Sequence, residues 1–485
     1  MGALSVARVL VQAGTDVLLI EAGPVTAAVR DRPAIEIDEI GRPFRLARSR
    51  GLELGGGTAF WHGVCAQLDE SDFQQRTWIP HSGWPIGGRD LARHYQIAWN
   101  FLCGGDRSGV PRLSEGLAQQ PAAADILENK VYQFRTQPFR GKDLLLDWCK
   151  QGLVRCVTHA TALQLVEKDG TVRHLIAGSG NRTFTVEADL FIIAAGALET
   201  PRLLLNSEAR AEFGTGIGNW WTGRNLIDHP AAYLSQVVFR EPVATDLFSG
   251  FELGLEVNAL PGFILKPALQ RERELPNHTV FIRPGLDGKK VPNRALMSFI
   301  GVRGLRDLGS GHLKAMLTDR YIRWRIMHQR LKRKSRTPYG DLFIMTEQLP
   351  NPVSRIDLSE HKHDRFGYPV ARVNWQLSRN DIDRLGRFVN LLMKSMERHP
   401  AVSSLRRDTL ADWLGSVSSA AHHLGTARMA ASSSTGVVDT DLKVFEVNNL
   451  WVCDGSVFPT AGSVNPSLTI CALGHRLGYH LLGRG

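Results

Sequence analysis

The stretch "MGALSVARVLVQAGTDVLLIEAG", residues 1–23, decides the fold. Apolar Leu4, Ala7, Leu10 and Val11 recur at helical spacing over residues 3–13, and Gly14 stands where a helix C′ glycine belongs. A short apolar strand over 17–20 follows and ends in Glu21. An acid there, about twenty residues after a glycine turn, accepts a hydrogen bond from an adenosine ribose. The stretch therefore reads as the second half of a nucleotide-binding βαβ unit. No strand pattern precedes the helix, and only Gly2 can stand for the third glycine of a G-x-G-x-x-G turn.

Outward from this unit, 485 residues are too many for one ordinary core, so two domains are expected. A hydrophobic content of 43% with 22% charged residues is that of a globular enzyme. No apolar run reaches the ~18 residues that span a bilayer. Arg8 and Asp16 break up the apolar N-terminus, against a signal peptide, and Val6 makes Gly2 a poor myristoyl acceptor. The six cysteines form no C-x-x-C pair, so neither a zinc site nor a redox dithiol is expected. Free thiols favour a cytoplasmic location, with export left open. The net charge of +10 is local: residues 319–336 carry eight Lys/Arg against one Asp. A chain-wide nucleic-acid-binding surface is thereby excluded. The segment itself reads as a solvated helix or as a docking face for an anionic membrane or an acidic electron-transfer protein.

Gly55, Gly56 and Gly57 lie in a glycine-rich loop, and residues 91–101 read as a helix. Residues 155–193 read as a meander with Asp169-Gly170 at a hairpin turn, feeding a buried strand over 190–194 and a tight turn at Gly196. A helix follows with Pro201 in its first turn. Strands at 354–358 and 370–375 and a helix at 381–397 are expected in a substrate domain of α+β type.

Two C-terminal stretches carry chemistry: "AAHHLGTARM" at 420–429, and "NLWVCDGSVFPTAGSVNPSLTICALGHRLG" at 449–478. Asn465 reads as an N-cap and Pro466 as the first helical residue. The amides of that helix start suit the anionic edge of a reduced flavin. Asp454, before Gly455 at a strand end, suits contact with a ribityl or pyrophosphate chain. A histidine of ordinary pKa is a natural base for an alcohol proton, and His422 or His423 fits, with Asn465 orienting the hydroxyl.

Together these pieces resemble the glucose–methanol–choline (GMC) oxidoreductases. Four stretches match in family order: "LGGGTAFWHG", "AAGALETPRLLLNS", "GRNLIDHP" (223–230) and "HHLGTARM … VNPSLTICALGHRLG". The resemblance implies an α/β FAD-binding Rossmann-like domain over 1–72, 151–235 and 415–485. It also implies a lid and α+β substrate-binding domain over 73–150 and 236–414. The catalytic base falls on His422, three residues before Gly425, and its partner on Asn465. FAD contacts fall on Gly2, Glu21, Gly55, Gly56, Gly57, Trp61, Ala162, Asp454, Gly455 and Pro466. Phe60 occupies the place where some relatives attach flavin through a His, so FAD is expected to be non-covalent, with His62 the nearest alternative. The expected reaction oxidises a sugar-like or polyol alcohol to a carbonyl by proton abstraction and hydride transfer to flavin. The basic segment favours a dehydrogenase over an oxidase. The family pattern would place a further strand and glycine turn ahead of Gly2, so the chain reads as truncated. Two rival readings stand beside this one: a non-catalytic relative that binds FAD weakly, and a nicotinamide-dependent dehydrogenase.

Overall fold

The computed structural model describes residues 1–26, 36–43, 49–104, 124–135, 137–209, 217–244, 251–252, 257–285 and 336–484. The basic segment 319–336 thus lies outside the described residues, apart from Arg336. The chain begins with helix α1 (Gly2–Gln12), strands β1 (Leu18–Ile20) and β2 (Ile37–Glu39), helices α2 (Glu70–Phe73) and α3 (Gly88–Cys103), strand β3 (Leu127–Arg135) and helix α4 (Gly141–Lys150). Strands β4 (Arg155–Val157), β5 (Thr161–Lys168), β6 (Thr171–Ser179), β7 (Arg182–Val186) and β8 (Phe191–Ile193) lead to helix α5 (Gly196–Ala209). Then come strands β9 (Ala231–Ala244), β10 (Phe251–Glu252) and β11 (Val257–Leu265), helix α6 (Pro267–Arg273), and strands β12 (Thr279–Pro284), β13 (Arg336–Met345), β14 (Arg355–His363) and β15 (Pro369–Asn374). Helix α7 (Arg379–Arg398), strand β16 (Val402–Arg407), helix α8 (Leu410–Ser416), strand β17 (Leu450–Val452) and helix α9 (Ser467–Leu481) complete it.

The opening helix–strand reading holds. α1 buries Leu4, Val6, Ala7, Val9 and Leu10. Beyond it, Gly14 takes a left-handed φ of 76° and donates to Val11 O, which closes the helix end. β1 pairs in parallel with β4, and β8 pairs in parallel with β17. These two pairs are separate from one another, and α1 and α3 each pack against α9 beside them. The meander is present as β5–β6–β7, and Asp169 and Gly170 both adopt positive φ in its two-residue turn.

The second side is a seven-stranded sheet in the order β10-β11-β12-β13-β9-β16, with β3 also paired to β11. Strand alternation divides its faces. Ala232, Leu234, Val280, Ile282, Leu342 and Ile344 share a core with Leu385, Phe388, Leu392 and Met396 of α7. The residues between them face the other way, towards the parallel strands.

Two expectations need correction. Pro201 is not in a first turn, because α5 begins at Gly196 and Pro201 lies inside it. The Asp454 carboxylate accepts from Gly196 N and Thr200 Oγ1 and so starts the helix early. The amide that Pro201 lacks would have bonded Ala197 O, which instead accepts the Thr426 hydroxyl at 2.7 Å. Second, α9 begins at Ser467 with Pro466 at its N-cap, so Asn465 stands one residue outside the helix. Its amide is then free to be used elsewhere. Packing also crosses the expected boundaries at 73–150 and 236–414. β14 and β15 form a three-stranded sheet with β2 and contact α5. α3 packs on α9, and Leu145 and Trp148 of α4 share a core with Leu4 and Ala7 of α1. Of the segment 73–150, β3 joins the large sheet.

Candidate active site

One cavity of about 2220 Å³ runs between the two parallel pairs and the large sheet. Gly2, Glu21, Gly55, Gly56, Gly57, Trp61, Ala162, Asp454, Gly455, Pro466, His422 and Asn465 all line it, as do Phe60, His62 and His423. A drug-sized ligand needs at most about 1,000 Å³. This space has room for a dinucleotide together with a substrate.

At the β1 end, Glu21 accepts a hydrogen bond from Gly23 N at 2.7 Å. Burial, reinforced by nearby Glu53, pushes its carboxyl up to about 7. Gly2 serves packing: a Cβ there would stand 1.8 Å from Cys453 O, so only glycine lets α1 approach β17 this closely. Gly55 turns with φ 96°, and Thr58 ties that turn to α4 by donating to Gly55 O and accepting from Gly141 N. Trp61 is held by its indole N–H on Phe139 O. Asp454 is a structural clasp: besides Gly196 and Thr200 it accepts from Ser456 N at 2.8 Å.

The catalytic candidates meet at the opposite end. Residues 418–424 run beside 227–231, with bridges between Ala231 and Ser418 and between Ile227 and Leu424. Fully buried Asp228 clamps this pair of segments, accepting from the Ser419 hydroxyl and from the backbone N–H groups of His229 and His422. Burial pushes its carboxyl up to about 6, against these hydrogen bonds. His422 Nδ1 lies 3.1 Å from His229 Nδ1, His422 Nε2 lies 3.0 Å from Asn465 Nδ2, and His229 Nε2 lies 3.0 Å from Gly462 O.

These contacts dictate the tautomers. A carbonyl can only accept, so His229 carries its hydrogen on Nε2 and offers a lone pair at Nδ1. His422 must then donate from Nδ1, which leaves a lone pair on Nε2. Asn465 Nδ2 donates to that same atom. Burial holds the imidazole of His422 well below its usual range, with His229 and His423 adding to the effect, and it holds His229 at about 4. A neutral, oriented base therefore faces the cavity at neutral pH. His423 turns to Asp228 instead, with Nε2 3.7 Å from Oδ2. Asp228, His229 and His422 hold potential metal-ligand atoms within 4.8 Å of one another, and hydrogen bonds within the protein engage all three side chains.

The loop carrying Asn465 has its own anchor. Glu347 accepts from both terminal guanidinium nitrogens of Arg76, at 2.8 and 2.5 Å, and also from Gly462 N and Asn277 N. Ser463 O receives the hydroxyls of Thr279 and Tyr132. Sequence reading assigned no role to Asp228, His229 or Glu347. The signal for the first two was present in "GRNLIDHP"; for Glu347 there was none, because its partners are 271 and 115 residues away.

A sequence model of the family described as GMC oxidoreductase matches residues 350–474. The 2-methyl-1,2-propanediol dehydrogenase of Mycolicibacterium austroafricanum is 25% identical over 91% of this chain and 77% of its own. The paromamine 6'-oxidase of Streptomyces fradiae is 25% identical over 96% of this chain and 86% of its own. Among solved structures, pyridoxine 4-oxidase from Mesorbium loti matches with a TM-score of 0.63 at 17% identity, covering 100% of this chain and 97% of that one.

Proposed function

This chain belongs to the GMC oxidoreductase family, and from that premise we propose that it oxidises an alcohol to a carbonyl with non-covalently bound FAD. The observation that carries the reading is His422 Nε2 at the cavity wall, its lone pair held by the Asn465 amide, which a substrate hydroxyl would take over, in space continuous with Glu21. When bound, FAD supplies the acceptor for the hydride. Glu21 would hold the adenosine ribose, and the Gly55–Gly57 turn and the start of α9 would border the rest of the cofactor. His422 Nε2 takes the hydroxyl proton, and Asn465 Nδ2 holds that hydroxyl against it. The half-buried base stands at the cavity wall, where bound substrate and FAD would displace the water that competes for the proton. Phe60 can form no bond to flavin, so acid precipitation should release all yellow colour to the supernatant.

Anaerobic mixing of the yellow protein with alcohols tests the reading. His422→Ala should slow flavin reduction by roughly 10²-fold or more with FAD still bound, the range for a positioned base. His423→Ala should remain within a few-fold of the parent. A crippled His423→Ala beside a normal His422→Ala would overturn the assignment.

A further inference from the structure

The cavity face of the large sheet is ordered in rows. Thr279, Met345 and Ala231 stand opposite one another across β12, β13 and β9. Both catalytic segments clamp this row: Thr279 Oγ1 bonds Ser463 O, two residues before Asn465, and Ala231 pairs with Ser418, four before His422. The next cavity-facing row is Phe281, Phe343 and Tyr233, again in direct register. Tyr233 and Phe343 meet edge to face at 5.1 Å, and Phe281 lies 6.3 Å from Phe343 between ring centres. One further step along the strands Arg283 lines the cavity with Leu260, while Asp341 opposite Arg283 and the Gln236 that donates to it are buried off the cavity wall.

Successive cavity-facing residues of a strand are about 7 Å apart. The wall beyond the reacting carbinol thus presents a row of aromatic rings, followed by Leu260 and the Arg283 guanidinium. The geometry points to a substrate whose carbinol is attached to an apolar ring, packed on the Phe281–Phe343–Tyr233 row. This rests on the alcohol-oxidising reading above and narrows it. A long alkyl chain would forgo the ring-to-ring contacts that this row offers. An open polyol would set its hydroxyls against ring faces and edges that return few hydrogen bonds.

The test uses the FAD-loaded protein with benzyl alcohol, glycerol, glucose and 1-octanol. The kcat/KM for benzyl alcohol should exceed each of the others by at least about 10-fold. In Phe343→Ser the benzyl alcohol to glycerol ratio should fall by about 10-fold; a ratio cancels any general loss of folded enzyme. A preference for glycerol, glucose or octanol, or a ratio unmoved by Phe343→Ser, overturns the inference. Calorimetric binding of benzyl alcohol to the FAD-loaded His422→Ala protein separates the two readings. Tight binding with no flavin reduction by any alcohol in the parent enzyme would sink the proposed activity and leave the ring site standing. Absence of binding alongside glycerol turnover would do the reverse.

Discussion

Replacing His229 by Phe keeps a ring of similar bulk and removes both ends of its relay. His422 Nδ1–H loses its acceptor at 3.1 Å, and Gly462 O loses its donor at 3.0 Å. A neutral buried hydrogen bond is worth about 1–1.5 kcal/mol net, so the base-competent tautomer of His422 loses a factor of roughly 5–13. Freer motion of the ring adds to that loss, and the rate of flavin reduction should fall by roughly 10–100-fold overall. The orphaned carbonyl costs about 1–3 kcal/mol of stability, and in a chain of 485 residues this lowers Tm by only a few degrees. FAD occupancy should not change, since His229 is absent from the cavity wall. The assay is anaerobic stopped-flow reduction at saturating alcohol, with FAD content measured on the same sample. His229→Gln, which carries an acceptor and a donor, should recover part of the rate. A His229→Phe enzyme within twofold of the parent would refute the tautomer argument, and so would a glutamine variant no better than phenylalanine.

Three other outcomes follow from the same contacts. Glu347→Gln leaves the Arg76 guanidinium, 3% exposed, with only Asp72 at 3.8 Å as counter-charge, so the protein should lose up to about 3–5 kcal/mol, a fall in Tm of a few degrees by scanning calorimetry; an unchanged Tm would contradict the buried pair. Gly2→Ala forces α1 to retreat from Cys453 O by roughly 1.5 Å, at about 1–3 kcal/mol, and FAD titration should show weaker binding. The pH profile tests the burial of His422. The neutral ring is the base, and its pKa lies below 6.5, so lowering the pH through 6.5 does not protonate it. With FAD saturating, flavin reduction should stay level through pH 6.5 and fall only in more acidic buffer; a midpoint at or above 6.5 would show a solvated base.

Much of this was legible in the chain. The period of Leu4, Ala7 and Leu10, the C′ glycine and the acid after β1 are local signals, and local backbone chemistry determines helix ends and hairpin turns within a few residues. The pairing of Asp169 with Gly170 is readable for the same reason: positive φ at both turn positions selects those residue types. The candidates for base and partner were legible as motifs, His422 and Asn465, but a motif carries no protonation state.

Only the tertiary structure decided that. Which nitrogen of His422 bears the hydrogen depends on His229, 193 residues earlier, and through it on the carbonyl of Gly462. The placement of Asn465 depends on Glu347 and Arg76, and the start of α5 on Asp454. Packing across the expected domain boundaries has a related cause. β14 and β15 have the alternating pattern of any half-buried strand, and nothing in that pattern says whether β2 or the large sheet will supply the neighbouring edge. Periodicity encodes which face of an element is buried. What covers that face, and which buried polar atoms meet across it, are settled only when distant segments compete for the same hydrogen bonds in one packed interior.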